Sequence, residues 1–184
     1  MSITKKILII IAFITMLTGN VQAGWFSDYN TYLGNNIYNT WNCGGWDLYV
    51  PFYSWHNRLT YDDEHINTYN EEAWGGGIGR SITKGNEWHG IYFMMFKDSN
   101  SYLQTIGGYA YLYNWNLDKD GDWKIGVGYT LSLTQRHEYS YIPLPLPLPI
   151  GGISYKNLHL EAAYVPGYKK NDGNILFIWA KISL

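Results

Sequence analysis

The 184-residue chain has few of the features that mark soluble enzymes: it has one cysteine, little charge and no metal-binding pattern. Cys43 cannot form a disulfide within the chain, and no acid–base partner near it in the sequence indicates a reactive thiol. The five histidines are scattered, without an HxxxH or CxxC pair, so we expect no metal site and no cofactor. Charged residues form 15% of the chain and the net charge is −2, which argues against a nucleic-acid partner.

A long apolar run occurs only at the N-terminus, in residues 7–17. It follows the basic pair Lys5-Lys6 and precedes small residues that end at Ala23, which is the order of a secretory signal peptide. The run is too short to span a bilayer comfortably as a helix, although an uncleaved anchor is the alternative. We predict that residues 1–23 are a cleaved signal peptide and that the remaining chain is one exported domain.

Aromatic residues are abundant, at 18% of the chain, and there are 20 glycines. Tyr and Trp suit the two interfaces of a bilayer. Apolar side chains alternate with polar or small ones in runs over much of the chain, most clearly from Trp123 to Thr134. This alternation predicts β-strands with one apolar face. Strands of about ten residues cross a bilayer when tilted, and a closed barrel satisfies every backbone group there.

Eight such runs are present, an even number that lets an up-and-down barrel close with both termini on one side. We predict an all-β fold, an eight-stranded antiparallel transmembrane β-barrel over residues 46–184, located in a bacterial outer membrane. Residues 24–45 are predicted to form a short N-terminal amphipathic helix and linker at the membrane surface, with an irregular strap as the alternative. The predicted strands are 47–60, 73–83, 87–98, 105–115, 123–135, 143–155, 157–166 and 174–184.

Short and long links mostly alternate between these strands, and in such barrels the long loops face outward. His56 near the end of the first strand and the pair Asp98-Ser99 at the end of the third then reach the same outer rim. His, Asp and Ser are residue types that activate a hydroxyl and handle a tetrahedral acyl intermediate. Asp-Ser is also a common turn pair, so from these residues alone a structural turn is the default.

Small residues on the inward faces predict a hollow inside the barrel. An eight-stranded barrel is normally filled by side chains or holds one small ligand. The third strand is apolar on both faces, so the hollow is partly apolar, which favours an acyl chain. The alternative is that the glycines ease the curvature of the wall. The predicted lining residues are Gly75, Gly77, Gly108, Ala110, Gly126 and Gly128.

Prolines alternate with leucines from Pro143 to Pro149, at the start of the sixth run. Proline has no backbone donor, so a closed hydrogen-bonded wall should not tolerate this series without a reason. Two interpretations stay open: a stiff polyproline loop above the membrane, or a gap in the wall.

Short motifs are distributed over almost the whole exported chain. They are DLYVP (47–51), WH (55–56), YNE (69–71), WGGG (74–77), GNEWHG (85–90), FKDS (96–99), YIPLP (141–145), YVPG (164–167) and Asn174. In this combination they resemble the outer-membrane lipid A palmitoyltransferase (PagP) family.

The resemblance implies an enzyme that moves a palmitoyl chain from the sn-1 position of a phospholipid to the hydroxyacyl chain on the proximal glucosamine of lipid A. The phospholipid donor, the lipopolysaccharide acceptor and the membrane are then its partners, and it acts as a monomer or homodimer. The essential residues are His56, Asp98 and Ser99. His56 is expected to be the general base, Asp98 to orient it or stabilise its charged form, and Ser99 to polarise the ester. Whether Ser99 is a covalent nucleophile stays open.

The resemblance also implies lateral openings for lipid access, bounded by Pro51 and by the Pro143–Pro145 region with Pro166. Trp41 and Arg136 match a contact between the helix and the barrel in the family. A tighter outer leaflet and resistance to cationic antimicrobial peptides are the expected consequences.

Three positions depart from the family pattern. Ala73 replaces the proline before WGGG, which would alter one wall gap, and the chain ends in Leu184 rather than an aromatic residue. Ala110 aligns with the glycine at the floor of the family's acyl pocket. Its methyl group would raise that floor, so we expect a preferred chain somewhat shorter than palmitoyl, or looser selection.

Two other functions compete with acyl transfer. One is a non-catalytic barrel that binds lipid or stabilises the envelope, and the other is a soluble lipocalin-like carrier. Outward rows of Leu, Ile and Tyr argue against the carrier, whose outer surface would be polar. Substitution of His56 or Ser99 separates the remaining two.

Overall fold

A computed structural model describes residues 24–184, and in it the eight predicted strands form one closed antiparallel barrel. The predicted signal peptide, residues 1–23, lies outside the described residues. Each strand pairs with its neighbours in the chain, and the first also pairs with the last. The strands are β1 (Gly45–His56), β2 (Gly75–Lys84), β3 (Glu87–Lys97), β4 (Leu103–Asn116), β5 (Trp123–Gln135), β6 (Leu144–Tyr155), β7 (Leu158–Val165) and β8 (Ile175–Ser183).

The two ends of the barrel differ in their connections. The connections after β1, β3, β5 and β7 share one end, which we call the loop end, and those after β2, β4 and β6 share the opposite end, the turn end, with the start of β1 and the end of β8. Helix α2 (Asp63–Thr68) lies in the first long connection and a single 3-10 turn, His137–Tyr139, in the third. The loop-end connections are 57–74, 98–102, 136–143 and 166–174, and those at the turn end are 85–86, 117–122 and 156–157.

Helix α1 (Gly24–Cys43) precedes β1 and confirms the predicted N-terminal helix. It lies against the outer face of the barrel near the turn end, where the Lys84 ammonium donates to Oδ1 of Asn36 at 2.9 Å. The hydroxyls of Tyr29 on α1 and Tyr129 on β5 are 2.8 Å apart. Among residues 24–184, no helix has the length and apolarity needed to cross a membrane.

The contact between helix and barrel uses a different arginine from the one implied by the resemblance. Arg80 of β2 donates to the backbone carbonyl of Trp41 and, at 2.6 Å, to that of Gly44. Arg136 lies at the opposite end of the barrel, directly after β5, beside Glu138. The pairing of Trp41 with Arg136 is therefore wrong, because α1 ends at the turn end and Arg136 belongs to the loop end.

Side chains alternate between the lumen and the outer surface along the strands, as the sequence pattern predicts. On β5, Gly126, Thr130 and Ser132 are buried, whereas Val127 and Leu133 are exposed. Exposed aromatic side chains near both ends flank an apolar band, as in barrels that span a membrane. They are Trp46, Trp115, Trp123 and Tyr155 near the turn end, and Trp74, Tyr102, Tyr141 and Tyr164 near the loop end.

A buried polar cluster lies across the lumen in the turn-end half of the barrel. The Lys181 ammonium lies 3.0 Å from Oε1 of Glu161 and 3.7 Å from the centre of the Trp88 ring. The other carboxylate oxygen of Glu161 accepts from the Trp179 indole at 2.9 Å. A buried cation is tolerated only when it is paired in this way. The cluster separates two hollows in the lumen: a polar one of about 330 Å³ at the turn end, and a second one towards the loop end.

The wall has a gap between β6 and β7 in its loop-end half. β6 pairs with β5 from Leu144 to Tyr155, but with β7 only from Ile150 onward. Along a strand, the backbone N–H groups of alternate residues point to opposite neighbouring strands. The β6 prolines occupy alternate positions, so the N–H groups that they lack would all have pointed towards β7. The proline series is therefore part of a strand with one unpaired edge, and the polyproline-loop interpretation is wrong.

A second gap separates β1 from β2. Their ladder ends at the pair Tyr49–Gly77, although β1 continues to His56. Pro51 lies just beyond this point, buried, where the register between β1 and β8 shifts. Both gaps open in the loop-end half of the barrel.

Candidate active site

The structure brings His56 and Ser99 together at the loop end. β1 and β3 both run towards this end, so the last residue of β1 and the turn after β3 meet there. Nε2 of His56 lies 3.0 Å from Oγ of Ser99, and both side chains are buried. A buried imidazole in contact with a hydroxyl is the basic unit of nucleophilic acyl transfer.

Glu71, for which the sequence predicts no role, completes this pair. One of its carboxylate oxygens lies 3.0 Å from Nδ1 of His56 and accepts from the His56 backbone amide at 2.9 Å. Arg58 donates to both carboxylate oxygens, at 2.6 and 2.7 Å, and the Tyr53 hydroxyl donates at 2.8 Å. The carboxylate is thereby fixed against the imidazole from several sides.

The charge state of Glu71 fixes the proton positions on His56. Burial alone would raise the pKa of the Glu71 carboxyl, but the hydrogen bonds from Arg58, His56 and Tyr53 outweigh it and lower that pKa to about 2. A carboxylate only accepts, so Nδ1 of His56 carries the hydrogen. Nε2 of the neutral ring is then free to accept from the Ser99 hydroxyl.

Glu71 reaches the site through the connection between α2 and β2. Its backbone carbonyl accepts from the Ser54 amide at 2.8 Å, and the Asn70 amide donates to the Ser99 carbonyl at 2.8 Å. The segment therefore bridges the ends of β1 and β3. The signal for it in the sequence was the YNE motif, which contributed to the resemblance without an assigned chemistry.

Asp98 has a different place from the expected one. One of its oxygens accepts from the backbone amides of Asn100 and Tyr102, both at 2.9 Å, and so holds the turn that presents Ser99. No described hydrogen bond joins it to His56, whose Nδ1 is occupied by Glu71. The second oxygen, Oδ2, is buried and has no partner among the described residues.

A cavity of about 270 Å³ extends from Ser99 into the barrel. Its floor is formed by Trp179 and by Tyr92, whose hydroxyl is 2.8 Å from that of Thr130. Most of its walls are apolar, which suits a hydrocarbon chain. Apolar wall residues include Met94, Phe96, Ile106, Leu146, Leu148 and Phe177.

The glycines predicted to line the hollow lie elsewhere: none of them borders this cavity. They make room for neighbouring strands, since a Cβ at Gly77 would lie 2.5 Å from Cγ of Met94 and one at Gly108 would lie 2.9 Å from Cβ of Ser132. Ala110 borders a separate void of about 10 Å³ below the floor, with Tyr92. The same holds for the remaining predicted positions, Gly75, Gly126 and Gly128, at which a Cβ would meet backbone atoms or side chains of adjoining strands.

Two of the predicted access prolines lie near the cavity. Pro166, after β7, lines it, and so does Pro145 of β6, so the β6–β7 gap borders the hollow directly. Pro143 is exposed just before β6. Pro51 lies beside the β1–β2 gap and is not among the residues lining the cavity.

Loop-end connections cover the mouth of the barrel. Asn171 donates to a carboxylate oxygen of Asp62 at 2.9 Å, and its own side-chain oxygen accepts from the Asp62 amide at 3.0 Å. The Tyr61 hydroxyl donates to the Gly173 carbonyl at 2.7 Å. Beneath this cover, a polar pocket of about 110 Å³ adjoins His56 and Ser99. Within residues 24–184, no group of His, Cys, Asp or Glu is arranged to hold a metal ion.

Comparison with known proteins finds one matching family. Residues 36–181 match the family model described as "Antimicrobial peptide resistance and lipid A acylation protein PagP". A protein of Serratia proteamaculans, named lipid A acyltransferase PagP, is 48% identical over 147 residues, covering 79% of this chain and 74% of its own. One of Pantoea ananatis with the same name is 42% identical over 169 residues, covering 90% and 85%. Among solved structures, Neisserial surface protein A aligns with a TM-score of 0.39 and 14% identity over 76% of this chain and 95% of its own.

Proposed function

The chain belongs to the PagP family of lipid A acylation proteins, and we propose that it transfers a fatty acyl chain from the sn-1 position of a phospholipid to the hydroxyacyl chain of lipid A, in the outer leaflet of the outer membrane. The observation that carries this proposal is the Ser99–His56–Glu71 arrangement at the mouth of an apolar cavity with a closed floor. The cavity holds the acyl chain of the donor and thereby brings its ester to Ser99.

The first half of the reaction cleaves the donor ester. Nε2 of His56 takes the proton of the Ser99 hydroxyl as Oγ attacks the ester carbonyl, and Glu71 stabilises the imidazolium that forms. The tetrahedral intermediate collapses when His56 returns that proton to the leaving sn-1 oxygen. The products are a lysophospholipid and an acyl group on Ser99.

The second half repeats these steps with lipid A. Its acyl-chain hydroxyl gives a proton to His56 and attacks the Ser99 ester, and the proton then returns to Oγ of Ser99. Asp98 contributes by holding the turn on which Ser99 sits. All of these groups come from one chain, so a single barrel supplies the complete site.

The wall gaps support lateral entry of both lipids. A lipid tail in the outer leaflet reaches the hollow sideways through the β6–β7 gap, whose edges include Pro145 and Pro166. The β1–β2 gap beside Pro51 offers a second path near His56. We propose one gap for the donor and the other for the acceptor.

Mass spectrometry of lipid A tests the function. The full chain is expressed in a Gram-negative host that lacks its own lipid A acyltransferase, and lipid A is compared with that of the empty-vector strain. We expect a mass increase equal to one additional fatty acyl chain, and its loss in His56→Ala and Ser99→Ala. An unmodified lipid A profile from correctly exported wild-type protein would contradict acyl transfer and favour a non-catalytic barrel. The same strains would show whether sensitivity to cationic peptides falls with acylation.

A further inference from the structure

The groups of the proposed reaction bind the ester and the acyl chain of a substrate but leave one cation near the site unused. Arg136 is the only Lys or Arg among the described residues that line the apolar cavity and the adjoining polar pocket. The other nearby cations have partners or lie outside. Arg58 is bound to Glu71, and Lys170 is 71% exposed and lies 3.5 Å from a carboxylate oxygen of Asp62.

The Arg136 guanidinium has one buried nitrogen without a partner among the described residues and only a loose ion pair at another. Its side chain is 26% exposed, and its Nε is buried with no hydrogen-bond partner among the described residues. The nearest carboxylate oxygen belongs to Glu138 and lies 3.7 Å from Nη2, beyond hydrogen-bond distance. A buried donor without a partner is costly, and such a group in a pocket is commonly satisfied by a ligand.

The position of Arg136 matches the headgroup side of a bound lipid. It borders the apolar cavity and also the polar pocket that contains His56 and Ser99. With the acyl chain in the cavity and the ester at Ser99, the rest of the lipid must extend into the polar pocket and towards its opening. The planar fork of a guanidinium is suited to bind phosphate oxygens in pairs.

Two carboxylates also line the polar pocket, namely Glu138 and Asp172. Both are exposed residues, so water screens their charges and leaves their side chains free to turn outward. Arg136 is the more buried charge, and its electrostatic effect in the pocket is correspondingly stronger.

We propose that Arg136 binds a lipid phosphate while the ester is held at Ser99. This inference rests on the proposed acyl transfer and adds the part of the substrate that the chemistry itself leaves unassigned. Phosphate is present in the headgroup of the phospholipid donor and on the glucosamine of lipid A. Either source presents the same chemistry to the guanidinium.

Acyl transfer by purified, refolded barrels in detergent micelles tests the proposal and separates the two sources. The donor is phosphatidylethanolamine or the phosphate-free diacylglycerol, and the acceptor is lipid A with or without its 1-phosphate. The variants are Arg136→Gln and Arg136→Lys. The control is Lys169→Gln, which removes the same charge from an exposed position of the same rim. Folding of each variant is checked by its heat-dependent mobility in detergent gels.

We expect wild type and Lys169→Gln to prefer the phosphorylated form of one substrate by about tenfold or more in kcat/KM, the range of a charge-assisted hydrogen bond. Arg136→Gln should lose that preference, because its transfer falls much more with the phosphorylated form than with the phosphate-free form, while Arg136→Lys keeps part of the preference. If Arg136→Gln loses the preference between the two donors, Arg136 binds the phosphate of the phospholipid. If it loses the preference between the two acceptors, Arg136 binds the phosphate of lipid A.

Three results would overturn the proposal: no phosphate preference in the wild type, an unchanged preference in Arg136→Gln, or an equal loss with all substrates. The last would indicate a structural role. If Arg136→Gln does not fold, Arg136→Lys provides the test, because lysine retains the positive charge but cannot bind two phosphate oxygens as a planar guanidinium does. A reduced phosphate preference is then the expected result. A wild type that is folded but inactive with every donor would instead contradict acyl transfer itself.

Discussion

The Glu71 carboxylate lies 3.0 Å from Nδ1 of His56, although the two residues are 15 positions apart and belong to a connection and a strand. This contact gives His56 the orientation that the proposed reaction with Ser99 requires, and it is supported by the two hydrogen bonds from Arg58. The acid of the site is therefore supplied by the first long connection of the barrel, and the turn after β3 supplies only the hydroxyl.

Replacement of Glu71 by glutamine tests this assignment. Glu71→Gln keeps the size of the side chain but removes the charge that stabilises the imidazolium, so we expect kcat to fall by about a hundredfold or more with little change in KM. Acyl-transfer kinetics in micelles provide the measurement. Glu72→Gln is the matched control, because Glu72 is the exposed neighbour and makes no described contact with His56. Equal activities of wild type and Glu71→Gln would remove Glu71 from the site.

Ionisation of the Glu71 carboxyl should also make the stability of the folded barrel depend on pH in the acidic range. Its pKa is lowered to about 2 in the folded barrel from 4.5 in an unperturbed chain, so the ionised form stabilises the fold above about pH 4.5. That contribution is lost as the pH falls through 4.5 towards about 2. We expect wild type to resist urea better than Glu71→Gln at neutral pH, with the difference in unfolding midpoint shrinking over this window. A difference that does not vary with pH would show that ionisation of Glu71 is irrelevant to stability.

Much of the fold could be predicted because alternation is a local property. The fifth strand was expected at 123–135 and is observed at Trp123–Gln135, since its side chains alternate without interruption. The second strand was expected from residue 73 but begins at Gly75. Ala73 instead belongs to the connection, where its amide donates to the Glu71 carbonyl at 3.1 Å, a hydrogen bond that a proline would not make.

The site was predictable only where the topology determines it. Strand direction places His56 and Ser99 at one end of the barrel, so their common location follows from the order of the strands. Glu71 lies in a connection without periodicity, and its contact depends on how that connection folds back across β1 and β3. The glycine prediction failed for a related reason: alternation shows which way a residue faces, but not whether neighbouring side chains occupy the space it leaves.

Asp98 offers a test that separates support of the turn from chemistry. Asparagine retains a side-chain oxygen that accepts from the Asn100 and Tyr102 amides, whereas alanine does not. We expect Asp98→Ala to lower transfer by about tenfold to a hundredfold through misplacement of Ser99, and Asp98→Asn to recover most of it. Steady-state kinetics of the folded variants measure this. If asparagine is as inactive as alanine, the negative charge of Asp98 takes part in the reaction itself.

Ala110 leads to a prediction about chain length. Its methyl group lies under the cavity floor, in a void of about 10 Å³ shared with Tyr92, which is at the limit of what holds one water molecule. The floor therefore has little room to move down, and we expect wild type to transfer chains somewhat shorter than palmitoyl. Ala110→Gly should free space beneath Tyr92 and shift the products towards longer chains. Mass spectra of lipid A from the expressing strains give the distribution, and Ala162→Gly, on the outward face of β7, is the control. Clean palmitoyl addition by wild type, or an unshifted distribution in Ala110→Gly, would show that the floor is set by other residues.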